Sequence, residues 1–538
     1  MYIYRVRVYN SDILTDVLAG SSVPMVILFE YVSAYIVCHL VYRPKRFKID
    51  VARKDLLLMK KATSSPDKSH GLGLLALIST VITSSIGGGI FALTSDLAIA
   101  ASPGPALIAW GIVGLGTLML ALSLNNLVLK RPDLEGIFSY AEEGFGKYTG
   151  FISGWGYWIS AWMGNVAFAT VMMSAVGYFL PVFNGRSQIP SVIVASVILW
   201  LLTLLVNHGI ESAALLNAMI TVCKLIPLFV FIVFAIFLFK GQVFTAHFWT
   251  NVGSNLQGTE TIASQIKRCF IIMMWVFVGI EGATMLSSRA KKTADAGKAT
   301  LIGLVGLLTI YVLASVLPYG YFSRQALATI HQPAMVYLFK EMVGPWGGAL
   351  ISLGLIISTL GSWLSWTMLP AETIRLMADQ KLLPRVFSRK NKQGAPTVSL
   401  VTSSVLVQFF LVTLIFTDQA YQIAYSMCTA AVTICYILVA AYQIKYSWQH
   451  LRESGSRWQL AIGIGALLFE GTAIYFSGFK YIILCTIAYI PGSILYLMAR
   501  KESERRWFQS PLERLYVASV VICALVAIGL VIAGKLVI

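Results

Sequence analysis

Residues 72–95 read LGLLALISTVITSSIGGGIFALTS, an uncharged run with three consecutive glycines, Gly87, Gly88 and Gly89, near its middle. A helix crosses the ~30 Å hydrocarbon core of a bilayer with about 20 apolar residues, so this run is long enough to span. Yet each glycine in a helix interior costs about 1 kcal/mol relative to alanine. Glycine triplets also uncover backbone amides that hydrocarbon cannot satisfy. Close packing against a neighbouring helix is one reading of such small residues. The other is a span unwound at its centre, whose free N–H groups and half-helix dipole bind a carboxylate.

The rest of the chain supports a membrane setting. Of 538 residues, 57% are hydrophobic and only 12% are charged, with a mean hydropathy of +0.75. Soluble domains carry roughly 25% charged residues, so this chain could not cover a water-facing surface. The composition excludes a disordered chain and a secreted disulfide scaffold. The seven cysteines, at 38, 223, 269, 428, 435, 485 and 523, are scattered through mostly apolar runs with no CxxC pair. No metal and no cofactor are expected.

Counting apolar stretches gives thirteen spans: 72–95, 104–129, 148–182, 190–206, 213–239, 268–287, 300–322, 345–378, 397–416, 420–443, 458–477, 480–499 and 515–536. The third and eighth exceed one bilayer crossing and are expected to tilt or project. The net charge of +17 is a topology signal. With the first span starting inside, 30 Lys/Arg fall on cytoplasmic segments and 8 on outside ones, the bias that cytoplasmic loops show. Nucleic acid is therefore dropped as a partner. The expectation is a multi-pass protein of the cytoplasmic membrane.

The first 58 residues fit this scheme poorly. Val23–Tyr42 is a mostly apolar run, but it carries Pro24, Glu30 and His39, and Met59-Lys60-Lys61 resembles a natural start. Residues 1–58 are taken as an extension of doubtful role, with an extra helix as the alternative. Residues 59–71 form a cytoplasmic N-terminal segment.

A second interrupted span reads Trp275-Val276-Phe277-Val278-Gly279-Ile280-Glu281-Gly282. Here glycines bracket a carboxyl at mid-span, where a charge costs about 2.5–3.5 kcal/mol and marks a pathway. The bland alternative for Glu281 is a structural carboxyl bonded between helices. The two breaks sit in spans one and six. That offset is what an inverted repeat of spans 1–5 (72–239) and 6–10 (268–443) gives, with two discontinuous helices meeting at the midplane. Residues 458–538 supply additional C-terminal helices. Lys224, in the middle of the fifth span, is a third costly charge, too deep to snorkel easily. Tyr157, Trp158, Trp162, Trp275, Trp363 and Trp366 also lie near mid-span, away from the interface belts that usually hold such rings. Core packing explains mid-span rings; so does a cation held on a ring face without a buried carboxylate.

At this point the sequence resembles the amino acid–polyamine–organocation superfamily, and within it the basic amino acid/polyamine antiporter branch and its arginine/ornithine antiporters. The segments that carry the resemblance are SSIGGGIFAL (84–93), RPDLEGIFSYAEEGFG (131–146), GYWISAWMGN (156–165), MWVFVGIEGA (274–283), SRAKKTADAGKAT (288–300) and the stretch from LSWTMLPAE at 364 to 400. The glycine triplet is widely shared; WVFVGIEGA with SWTMLPAE is more specific. The resemblance implies an all-α polytopic fold of two inverted five-helix repeats with discontinuous helices 1 and 6, about 12–13 transmembrane helices in all. It also implies site roles. Gly88 and Gly89 match amides that hold a substrate α-carboxylate, and Ser85, Trp275 and Val278 match positions whose carbonyls hold the α-amino group. Trp275 and Tyr157 match gate aromatics, Trp366 the ring along the aliphatic chain, and Asn165 a contact to the distal cation. Glu281 matches a pH-responsive carboxyl, and Lys224 replaces the sodium ion of other relatives. One departure is Gly88, often serine in related antiporters, so a hydroxyl contact is absent.

The leading functional reading is exchange of a cationic amino acid for its metabolic product, arginine for ornithine. Exchange of an amino acid for its decarboxylated amine (arginine/agmatine or histidine/histamine) and proton-coupled symport stand as alternatives. A membrane enzyme would need clustered catalytic groups, and the six histidines form no HxxxH pair. A channel would need a continuous polar lining. Expected partners are small amino acids or amines and the lipid bilayer, and a homodimer stays open.

Overall fold

Hydrocarbon admits a backbone only if its polar groups are satisfied internally, and this chain meets that demand with helices. The computed structural model describes residues 72–184, 188–249, 260–285, 290–415, 420–477, 479–503 and 511–533. Residues 1–58 and 59–71 lie outside them, including Val23–Tyr42 and Met59.

The first five spans are α1 (Leu74–Ser85) with α2 (Gly89–Ala100), α3 (Pro103–Lys130), α5 (Lys147–Gly177), α6 (Ile189–Asn207) and α7 (Ile210–Phe237), with short α4 (Ile137–Phe145) between α3 and α5. After the short α8 (Gly241–Ala246), the next five are α9 (Ile262–Val276) with α10 (Gly282–Met285), α11 (Thr293–Val316), α14 (Pro345–Asp379), α15 (Thr397–Thr413) and α16 (Ala420–Gln449). Here α12 (Arg324–Thr329) and α13 (Ala334–Val343) occupy the place that α4 has in the first half. The C-terminal helices are α17 (Ser456–Ser477), α18 (Phe479–Glu502) and α19 (Pro511–Ile532). Among the described residues the β pairing is one isolated bridge, Leu72 with Ala290.

Ten of these helices are long and apolar enough to cross a membrane, and the pair α1–α2, bent by 46° at its break, makes an eleventh. The two remaining expected spans are α15, a 17-residue helix, and the interrupted α9–α10. All thirteen expected spans thus have a helical counterpart. The two long ones are confirmed as single helices: α5 has 31 residues and α14 has 35, about 46 and 52 Å at 1.5 Å per residue. They pack on each other along the centre of the bundle, with the Cβ position of Gly164 3.2 Å from the Trp366 ring.

The sixth span begins earlier than its hydropathy suggests. The Thr261 hydroxyl accepts the Ser264 amide at 3.2 Å and caps α9, so Lys267 and Arg268 are helical rather than loop residues. Arg268 pairs with Glu260 and donates to the Ala100 carbonyl at 2.7 Å. Arg324 donates to the Ala98 and Ile99 carbonyls at 2.9 and 3.3 Å, and the Tyr319 hydroxyl to Ala101 at 3.0 Å. Cations at a helix C-terminus meet the negative end of its dipole, and these anchors fix α2 at its outer end. At the opposite end of α3, Arg131 joins Asp133, Glu143 and Tyr442. Its hydrogen bond holds the Asp133 carboxyl below the usual carboxylate range.

Candidate substrate site

The site is built where the two interrupted spans cross. Helix α1 ends at Ser85, and a helix end leaves its last carbonyls without intrahelical donors. Each is capped. The Thr83 carbonyl accepts Lys224 Nζ (3.0 Å) and Ser362 Oγ (2.7 Å). The Ser84 carbonyl accepts the Trp366 indole N–H at 2.9 Å, and that of Ser85 the Gly87 amide at 2.9 Å. The Ile86 carbonyl gathers Lys224 at 2.5 Å, Ser362 at 2.9 Å and Ser358 at 3.0 Å. Lys224, fully buried on α7, therefore sits on carbonyls of the break. Ser362 donates to the same two carbonyls rather than meeting the ammonium, Ser358 joins it one turn earlier, and Ser365 Oγ has no acceptor among the described residues.

Beyond the break, α2 starts at Gly89 with Gly88 as its N-cap. The Phe91 amide returns to the Gly88 carbonyl at 3.1 Å, leaving the amides of Gly88, Gly89 and Ile90 without a backbone acceptor among the described residues. Such an end, with its positive dipole, is a ready anion site. The triplet also packs tightly. A Cβ on Gly88 would lie 2.6 Å from Val171, one on Gly89 3.0 Å from the Trp275 indole nitrogen, and one on Gly87 would strike Phe168. None of the three has a positive φ. They are required by close approach, which bears out the packing reading, and the amides of Gly88, Gly89 and Ile90 stay without a backbone acceptor among the described residues.

The second break differs. Gly279 has φ 105°, the left-handed region, and its Cβ position lies 2.8 Å from the Ser84 carbonyl. Ser84 Oγ donates to the Gly279 carbonyl at 2.7 Å, tying the two breaks together. Of the carbonyls expected to hold an amino group, those of Ser85 and Trp275 already accept a backbone amide, from Gly87 at 2.9 Å and Val278 at 3.2 Å. A carbonyl has two lone pairs, so each keeps room for a second donor. The Val278 carbonyl has no such partner among the described bonds. The Ser85 hydroxyl is buried without a partner among the described residues.

The aromatic residues divide into two groups. Phe168 stands between Trp275 and Trp366, with ring centroids 6.4 and 6.0 Å away, and Tyr425 lies 5.9 Å from Trp275. Asn165, on the same helix, donates to the Trp366 carbonyl at 3.0 Å and leaves its buried Oδ1 free to accept. Trp158 and Trp162 belong elsewhere, in a separate cavity with Trp155, and the indole of Trp363 is buried with its N–H unpartnered. Core packing accounts for these three.

Glu281 is fully buried, and its Oε2 accepts the Tyr436 hydroxyl and the Gly279 amide, the latter at 3.2 Å. The Tyr157 hydroxyl lies against the same carboxyl. Among the described residues no group of histidines, cysteines and carboxylates could hold a metal ion.

The sequence reading missed Phe168, Ser358 and Tyr436. Phe168 lies eleven residues after Tyr157 and three after Asn165, on one face of a 3.6-residue helix. Ser358 precedes Ser362 by one turn on a small-residue stripe. Tyr436 carries no comparable local signal: only the packing of α16 against the break brings it to Glu281.

Comparison with known proteins agrees with this geometry. The family model described as amino acid permease matches residues 72–534. The chain is 62% identical over 467 residues (87% of this chain, 98% of the relative) to the arginine/ornithine antiporter of Latilactobacillus sakei. It is 38% identical over 475 residues (86% and 98%) to the arginine/ornithine antiporter of Pseudomonas aeruginosa. To the arginine/agmatine antiporter of Chlamydia caviae it is 37% identical over 464 residues (85% and 95%). With its two interrupted spans and a family match over nearly the whole described chain, the protein belongs to the amino acid permease family.

Proposed function

We propose that this protein is an antiporter that exchanges arginine for ornithine across the cytoplasmic membrane. The observation that carries the reading is the 62% identity to a relative named an arginine/ornithine antiporter, over 98% of that relative's length. The site chemistry supports it. Free amides at Gly88, Gly89 and Ile90 suit an α-carboxylate, and the carbonyls of Ser85, Trp275 and Val278 suit an α-amino group. Trp366 and Trp275 flank the aliphatic chain, and Asn165 Oδ1 accepts from the distal cation. Tyr157, Tyr436 and Glu281 close the far side, and Lys224 fixes the break where coupled relatives use an ion. The two repeats, 72–239 and 268–443, meet at this point and rock around it.

Arginine and ornithine carry the same net charge, so their exchange is electroneutral. Exchange rather than uniport follows if the empty carrier reorients slowly and substrate lowers that barrier. Agmatine lacks the carboxylate that the α2 amides would bind, which favours ornithine as the counter-substrate.

The test is counterflow in proteoliposomes. Internal ornithine should accelerate uptake of labelled arginine, without dependence on membrane potential. Equal acceleration by agmatine, with a potential dependence, would replace this reading by amino acid/amine exchange. Uptake unaffected by internal substrate would overturn antiport.

A further inference from the structure

A cavity of about 50 Å³ lies between α15 and α18, on a different face of α5 from Tyr157, Asn165 and Phe168. Its floor is a ladder of Trp155, Trp158 and Trp162, whose successive ring centroids are 4.4 and 6.5 Å apart. Two of the indole N–H groups are already used, by the Ala488 carbonyl at 2.9 Å and Ser403 Oγ at 2.7 Å, so the ladder offers ring faces. By volume the cavity holds about three water- or methylene-sized groups.

Water is a poor fit for it. A buried water needs two to four polar partners. The lining supplies two hydroxyls, and that of Ser399 is spent on the Phe387 carbonyl at 2.9 Å, leaving Thr402. The mouth shows where an apolar occupant would enter. Val405 on α15 and Pro491 on α18 are half-buried, whereas the three tryptophans are buried. The cavity thus opens sideways, between α15 and α18, onto the hydrocarbon.

Its other end is charged. Phe387, which lines the cavity, is flanked in sequence by Arg385 and Arg389, both exposed. Lys501, exposed in the last turn of α18, is brought to the same rim because the neighbouring Glu502 carboxylate accepts the Arg385 amide at 3.0 Å. Arg385, Arg389 and Lys501 outnumber the Glu502 carboxylate at this rim, which makes it a place for an anion.

The geometry points to a binding site for one anionic phospholipid, its acyl chain on the Trp155–Trp158–Trp162 ladder and its phosphate among Arg385, Arg389 and Lys501. The lipid wedges α18, which lies outside the two repeats, against α15 and α5. A zwitterionic lipid satisfies the cavity but not the rim.

Native mass spectrometry of the full-length protein tests this with phosphatidylglycerol and phosphatidylcholine of matched chains. One phosphatidylglycerol should survive detergent exchange, at least tenfold better retained than phosphatidylcholine. The double variant Arg385→Ala/Arg389→Ala should weaken that retention about 30-fold, from two juxtamembrane cations at about 1 kcal/mol each. Val405→Trp, which fills the mouth, should remove the retained lipid. Equal retention of both lipids, or retention of phosphatidylglycerol unchanged in the arginine variant, would overturn the site. Because the arginines are exposed, that variant keeps the test decisive if Val405→Trp fails to fold. The readout counts lipid, so it stands apart from the identity of the transported substrate.

Discussion

At the residue scale, Trp366 has two jobs that can be separated. Its ring lies 6.0 Å from Phe168, and its N–H caps the Ser84 carbonyl at 2.9 Å. Trp366→Ala removes both. A desolvated cation–π contact is worth about 2 kcal/mol, so arginine should bind about 30-fold more weakly. Trp366→Phe keeps a ring but leaves a buried carbonyl without its donor, at about 1–3 kcal/mol. It should lose less affinity than Trp366→Ala while lowering Tm. Isothermal titration and thermal unfolding on both variants check this; equal affinities would remove the ring from the site. Glu281 offers the second residue-scale test. Its Oε2 holds Tyr436 and the Gly279 amide, and Tyr157 stands beside the same carboxyl. Glu281→Gln should flatten the dependence of exchange on pH and leave binding intact, and Tyr436→Phe should shift that profile. An unchanged profile in Glu281→Gln would make the carboxyl structural.

At the element scale, the first interrupted span is a helix end that two other helices complete. Lys224 of α7, with Ser358, Ser362 and Trp366 of α14, supplies the donors that its carbonyls lack, and Ser84 fastens it to the second break. On the proposed reading, the ammonium takes the place of a bound cation that would otherwise join these helices. Exchange should therefore proceed unchanged when choline replaces sodium. Lys224→Ala should lower Tm and abolish exchange, because only the neutral hydroxyls of Ser362 and Ser358 then serve carbonyls that had a charged partner. Sodium dependence of the wild type would contradict the assignment, and normal exchange by Lys224→Ala would reduce the lysine to packing.

At the scale of the whole molecule, the described helices begin at Leu74, and the family match begins at residue 72. A chain starting at Met59 should insert and exchange like the full one, as judged by counterflow. Failure to insert would make Val23–Tyr42 a needed helix.

Membrane setting, the thirteen stretches that form helices, the two breaks and the buried charges were all legible in the sequence. A bilayer imposes a length of apolar residues on every span and a free-energy cost on every exception, and both are local. Most of the site was also local, or came with the segments that resemble known antiporters: Gly88, Gly89, Trp275, Glu281 and Trp366 stand in motifs. What the sequence could not supply was partnership. That Ser362 shares carbonyls with Lys224 instead of touching it, that Phe168 stands between the two site tryptophans, and that Trp158 and Trp162 turn to another cavity depend on how helices rotate against each other. The link from Tyr436 to Glu281 joins residues 155 positions apart. Such contacts are set by packing across the bundle, which no single span encodes, and so only the tertiary structure decided them.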